Sequence, residues 1–435
     1  MTDIREKAEE RAAGTGGCPV AHDSQGVSLT LTDHEVSSDP YELYAELHAK
    51  CPVFREPNLG HYIISGYDDL KAALQNHGDF SAEIDRPSIM QGENTRYFRD
   101  VLREKGWLHE PTLQRTDPPR HGRVRKIVNR AFGSAQVRGV APRVQELANQ
   151  LIDKFIARGE CDFIDEFALP LPGTVIAELI GLDTADWRRY KAWSDNLFTY
   201  VAAVLTPEQL REAGEIEVEM QQFLAKQFEE RRKEPRDDLL SVLLSTEEGE
   251  EPLSMEELQS VMSQLMAGGY ETLTSAMSHG MRQWIMFPEV VEELRADRTL
   301  VPKFINESLR FESPVQGLYR IAMRDVELHG VTIPKGATVN MRYAAANRDP
   351  RQFENPDQFD IHRKNGMSQI AFGAFTHACV GLNLARSELN IAYNTLLDRM
   401  ENFQLARPLP HPVHRQSVAY IPMKELHIKF DAIKR

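Results

Sequence analysis

Residues 372–381, Phe372 to Gly381, read FGAFTHACVG. The chain has only four cysteines, and one of them, Cys379, stands here between Gly373 and Gly381, two residues after His377. The segment that follows, LNLARSELNIAYNTLLDRM, puts Leu382, Ala385, Leu389, Ala392 and Leu396 on one face, the pattern of a half-buried helix. Cys379 therefore falls at or just before a first helical turn. Unpaired N–H groups and the helix dipole favour an anion there, so the thiol is expected to lose its proton easily. Gly373 and Gly381 let the backbone approach a partner closely.

A thiolate with amides aimed at it suits a soft metal. It would be the protein's only ligand, so the metal has to arrive in a carrier such as haem. The other cysteines, Cys18, Cys51 and Cys161, form no CxxC pair. They read as free thiols of a reducing compartment, and their spacing does not suit structural zinc.

The rest of the chain is consistent with an enzyme core. Apolar residues make up 41% and charged residues 27% of 435 positions, enough to bury a sizeable interior. The net charge of -14 does not suit a nucleic-acid binder, which needs a basic face. The start, MTDIREKAEERAAGTGG, is polar, and no run reaches membrane-spanning length, so a soluble cytoplasmic protein is expected. Residues 1–26 read as a loose polar leader and 27–435 as one domain.

Periodicity predicts helices over DPYELYAELHAK, VQELANQLIDKFIARG, TADWRRYKAWSDNLFTYVAAVL, TPEQLREAGEIEVEMQQFLAKQFEERRKEP, EVVEELRAD and VPKFINESLRFES. Strands are expected at CPVFREP and GHYIISG, again within VELHGVTIPKGATVNMRYAA, and as a hairpin over SVAYIPMKELHIKF. The class is mainly α with a minor β part.

Three further constellations stand out. Glu307 and Arg310, three apart in ESLR, are neighbours on one helix face. LMAGGYETLTS lies in a long helix opened by a capping box, Ser254 to Glu257, and ended at Pro288. Gly268 and Gly269 cost such a helix about 1 kcal/mol each relative to Ala. They read either as close helix packing or as a widened turn beside a ligand, next to Glu271 and Thr272. In DPPRHGRVRKIVNRAF, His121 and Arg125 share a face behind the turn Asp117-Pro118-Pro119.

Phe372-Gly373, His377 and Cys379-Val380-Gly381 resemble the haem-ligand loop of the cytochrome P-450 monooxygenases. The family usually carries Gly where this chain has Phe375, so a large side chain must be accommodated there. The Glu-Arg pair, the acid-alcohol pair Glu271-Thr272 and the Asp-Pro-Pro-x-His segment follow in the family's order.

The resemblance implies the cytochrome P-450 fold, haem b, and Cys379 as the axial iron ligand. Glu271 and Thr272 would relay protons to dioxygen. His121, Arg125 and Arg320 would meet the haem carboxylates, Phe372 and the basic residue His377 would bind the cofactor from the loop, and Arg363 would join Glu307 and Arg310.

A small or medium apolar organic substrate is expected, in a pocket lined by residues 86–108, 197–205, Val315, Gln316 and the turn near Ile421. Electrons would come from a separate ferredoxin and its reductase, docking near Lys126, Arg130 and Lys364, with the enzyme a monomer. The alternatives are a peroxide-driven or isomerising enzyme of the same fold, a non-catalytic haem-binding sensor, and a helical protein with a buried thiol.

Overall fold

The computed structural model describes residues 27, 29–85, 91–202, 205–415 and 417–433, apart from the side chains of residues 134, 135 and 202. The expected leader and Cys18 lie outside the described residues, as do residues 86–90 of the expected pocket wall.

The helices of nine or more residues are α1 (Tyr41–Lys50), α2 (Tyr67–Gln75), α3 (Thr95–Lys105), α4 (Arg120–Ala131), α5 (Ser134–Asp153), α6 (Pro170–Ile180), α7 (Trp187–Ala202), α8 (Pro207–Lys233), α9 (Met255–Met286), α10 (Pro288–Ala296), α11 (Val301–Phe311) and α12 (Leu382–Arg399). The strands are β1 (Val53–Arg55), β2 (Tyr62–Ile64), β3 (Phe80–Ser81), β4 (Glu160–Asp162), β5 (Leu318–Ala322), β6 (Val326–Leu328), β7 (Val331–Ile333), β8 (Thr338–Met341), β9 (Met400–Leu405) and β10 (His427–Ala432). The mainly α class with a minor β part is what the periodicity leads one to expect.

Helix α9 is the spine. Its capping box forms as read: Ser254 accepts from the Glu257 amide, and Glu257 reaches back to the Ser254 amide. It runs unbroken for 32 residues, so the widened turn is absent. Instead the two glycines divide the work. A Cβ on Gly269 would lie 2.9 Å from Ile176 Cγ1 of α6, whereas one on Gly268 would meet nothing within 4 Å. Gly269 is there for helix packing, and Gly268 leaves backbone bare toward a cavity. Tyr270, Leu273, Met277 and Trp284 of α9 join Leu389, Ala392, Tyr393 and Leu396 of α12 in the largest apolar core.

Five strands form a sheet in the order β1-β2-β8-β5-β3, with only β2 and β8 parallel. A second sheet has the order β4-β10-β9, and β6 and β7 make a separate antiparallel pair. The hairpin expected over 417–430 does not form. β10 pairs with β9 and β4, while Tyr420 and Met423 make single bridges to Val315 and His414. Local alternation marks a strand but not its partner, and here the partners lie far away in sequence.

Glu307 and Arg310 are fully buried on α11, joined by Nε–Oε2 and Nη2–Oε1 contacts of 2.8 Å. Arg363 adds a 3.3 Å contact to Glu307, and Arg310 also donates to the Asn347 and Pro356 carbonyls. The network ties α11 to the chain that leads into the Cys379 loop.

Candidate active site

Cys379 ends a tight loop just before α12. Its amide donates to the Phe372 carbonyl at 2.8 Å, and Arg125 Nη1 donates to the Ala378 carbonyl at 2.8 Å. Gly373 and Phe375 both have left-handed backbone, with φ of +69° and +56°. The sulfur lies inside the molecule but borders an internal cavity, which accounts for its accessible surface.

Burial pushes the Cys379 thiol up, against the opposing pull of the Gly381 amide, the Arg125 guanidinium and the Leu382 amide. This corrects the expected easy proton loss. The first helical residue is Leu382, three positions on, and the surroundings are apolar, so desolvation outweighs the helix start. A cationic metal centre has to supply the rest of the stabilisation of the thiolate.

The cavity runs from Cys379 to Gly268 and Thr272 of α9 and on to Leu197 and Phe198 of α7. Its empty space, mouth included, is about 2060 Å³.

At one edge is a cluster of nitrogen bases. The His377 ring lies 4.5 Å from that of His121 and 5.6 Å from that of His77. Both ring nitrogens of His377 are buried and lack a hydrogen-bond partner. Burial pushes His377 down to about 2, helped by Arg320 and by His121, His77 and Arg125. Burial, then Arg125, lowers His121 as well. A cationic field with unsatisfied imidazoles is a receptor for carboxylates. The side arms of haem are such carboxylates, and the Cys379 thiol opens on the same cavity, so the residues present fit the group. Cys379 would hold the metal, and His121, Arg125 and His377 the carboxylates.

His121, Arg125, Thr272, Phe372, His377 and Cys379 all line the cavity. Arg320, on β5, stands behind His377 and acts on it through its charge. Glu271 does not face the cavity; its Oε2 lies 3.3 Å from Lys191 Nζ on α7. The Thr272 hydroxyl donates to the Gly268 carbonyl at 2.8 Å.

Sequence reading missed His77, Lys191 and the part played by Asp117, which accepts from Ser81 Oγ and the Ala82 amide. Only tertiary contact gathers them. It also missed Glu388, a buried cavity-lining carboxyl of α12 whose Oε2 has no partner. Burial pushes Glu388 up to about 8.

Several expected positions move. Leu197, Phe198, Tyr200, Val201 and Val315 line the cavity. Gln316 does not; its amide accepts from Tyr44 and donates to the Ser313 carbonyl. The turn near Ile421 does reach the wall, through Tyr420, while Ile421 itself is fully buried. Phe98 stacks on Tyr200 at 3.9 Å instead of facing the cavity. The expected basic patch is largely neutralised: Lys126 pairs with Glu247 and Glu250, and Arg130 with Glu250. No helix among the described residues is long and apolar enough to cross a membrane.

A family model for cytochrome P450 matches residues 184–429. The chain is 34% identical over 380 residues to the putative cytochrome P450 YjiB of Bacillus subtilis, covering 85% of this chain and 90% of that protein. It is 32% identical over 413 residues to 6-deoxyerythronolide B hydroxylase of Saccharopolyspora erythraea, covering 92% and 99%. The solved structure of cytochrome P450 CYP109Q5 from Chondromyces apiculatus superposes with a TM-score of 0.80 at 31% identity, covering 94% of this chain and 99% of that one. With the thiol loop, the base cluster and the long cavity-lining helix in one arrangement, the chain belongs to the cytochrome P450 family, as a monooxygenase whose prosthetic group is haem b.

Proposed function

We propose that this enzyme hydroxylates an apolar small or medium organic molecule, with electrons from a separate ferredoxin and its reductase. The reaction takes the substrate, dioxygen, two electrons and two protons to the alcohol and water. The observation that carries the reading is one cavity with the Cys379 sulfur on one wall and the Thr272 hydroxyl and bare Gly268 backbone on another. Haem b, when bound, supplies the iron that activates dioxygen and oxidises the substrate.

The chain's own residues do the rest. Cys379 would hold the iron through its sulfur. Its loop amides and Arg125 stabilise negative charge on the sulfur. His121, Arg125 and His377 would orient the group through its carboxylates, with the Arg320 charge acting on His377. Thr272 presents a hydroxyl at the cavity, and Glu271 stands next to it on α9 as a proton source reached through side-chain rotation away from Lys191. The apolar walls from α7 and Val315 exclude water and hold the substrate. The relative named 6-deoxyerythronolide B hydroxylase supports hydroxylation of an organic skeleton without fixing which one.

Cys379→Ala tests the reading. The reduced protein with carbon monoxide should lose its thiolate-type absorption band, and keeping that band would remove Cys379 as the ligand. Product formed with the electron-donor pair, and not with peroxide alone, separates this reading from a peroxide-driven enzyme.

A further inference from the structure

Behind the cavity wall lies a buried charged cluster that the reaction does not use. Glu312, at the end of α11, is 2% exposed. Arg282 Nη1 of α9 lies 2.8 Å from its Oε1, and His414 Nε2 lies 3.2 Å from the same oxygen. Gln283 Nε2 sits 3.4 Å from Oε2. His414 is anchored at its other nitrogen, Nδ1, by the Ser38 carbonyl at 2.6 Å.

His279 is placed on α9 two turns after Thr272. Its Nδ1 is 3.3 Å from the Glu312 carbonyl and its Nε2 3.0 Å from the Ile421 carbonyl. Burial alone would raise the Glu312 carboxyl, but Arg282, His279 and His414 hold it well below the usual carboxylate range. Two imidazoles and a carboxylate with ligand atoms within 4.8 Å of one another have the composition of a metal site. Here the guanidinium already supplies the positive charge at Oε1, and a buried dication beside it would be repelled.

The cluster meets the cavity wall from both sides. Pro314, Val315 and Leu318 follow Glu312 in the chain and line the cavity, as does Tyr420 beside Ile421. The two segments are joined to each other. Val315 bridges Tyr420, the Gln316 amide donates to the Ala419 carbonyl at 2.8 Å, and the Ile421 amide donates to the Pro314 carbonyl at 3.3 Å. A second tie comes from Arg342, which donates to the Val418 carbonyl and to Tyr44 Oη.

We propose that Glu312, with His279 and His414, is a positioning set that fixes segments 313–318 and 417–421 against α9 and thereby sets the size of substrate the cavity accepts. The wall and Thr272 then share one rigid helix as their reference. A buried carboxylate gripped by a guanidinium and an imidazole has one good arrangement, and removing its charge leaves the part-buried Arg282 uncompensated. The wall is released as a unit when the cluster is broken. This inference rests on the cavity being the site of haem and substrate.

The test titrates the haem-loaded enzyme with imidazole and with 4-phenylimidazole, following the haem absorption band. Both probes ligate iron through the same ring, so the ratio of their Kd values reports the room beside it. In Glu312→Gln and in His414→Gln the ratio is expected to change about fivefold or more, with the imidazole Kd held within about twofold, as pocket-shape effects do. An unchanged ratio overturns the inference, and so do equal changes for both probes. Loss of haem incorporation in both variants also overturns it, because the cluster would then belong to folding alone. Failure of the haem reading itself shows differently: the wild-type protein would have no band to titrate.

Discussion

Phe375 holds φ at +56° with its ring 43% exposed. Left-handed backbone costs a side chain with a Cβ about 1–2 kcal/mol, and a half-open ring gives little burial in return. Phe375→Gly removes that strain but adds about 0.5–1 kcal/mol of unfolded-state entropy. The expected net is a gain of about 0.5–1 kcal/mol in urea unfolding, with haem content unchanged; loss of haem would show that the loop depends on the ring. Thr272 belongs to the same scale. Its hydroxyl is the side-chain donor beside bare backbone on the cavity wall. Thr272→Ala is expected to pass more of the consumed electrons to peroxide and fewer to product, measured as product per reducing equivalent. Equal coupling would take the residue out of the proton route. The Cys379 loop stood out in the sequence because it is short and contiguous, but the burial that pushes its thiol up comes from tertiary packing and did not. Nor did His77 and Lys191, because each meets its partner across a tertiary contact and carries no local signal.

At the scale of the element, α9 was the most readable piece of the fold. A capping box at its start and a proline after its end bound it, and both are used as read. What sequence could not divide was the glycine pair, since packing and ligand access leave the same letters. The structure separates them by what stands opposite, and paired substitutions test the division. Gly269→Ala drives a Cβ to 2.9 Å from Ile176, an overpacking expected to destabilise the protein by about 1–3 kcal/mol. Gly268→Ala meets nothing and gains up to about 1 kcal/mol of helix propensity. It also narrows the cavity, so bulky haem ligands should bind more weakly while the melting temperature holds or rises. Equal destabilisation by the two substitutions would remove the distinction. The β part was less legible: β9 has no reading of its own in the sequence, and β10 is pledged to two strands that no local pattern names.

At the scale of the whole molecule, the buried ionisable groups set how stability responds to pH. Most are paired, as Glu307 is with Arg310 and Glu312 with Arg282. Glu388 is different: it lies on α12 with Oε2 unpartnered, and burial pushes it up to about 8 from an ordinary 4.5. Between those values the folded protein keeps the proton and the unfolded chain releases it. The unfolded state therefore binds fewer protons, and stability falls as pH rises through this window. At about 1.4 kcal/mol for each unit of difference, the loss across the window is about 3–5 kcal/mol. Glu388→Gln keeps the shape and removes the titration. Urea unfolding of the haem-loaded enzyme at pH 5 and pH 8, followed by far-ultraviolet circular dichroism, should show the wild type losing more stability between the two conditions than the variant. The same slope in both proteins would mean that Glu388 finds a partner in solution and ionises in place. That outcome would put a buried negative charge on the cavity wall and change the class of substrate the enzyme could hold there.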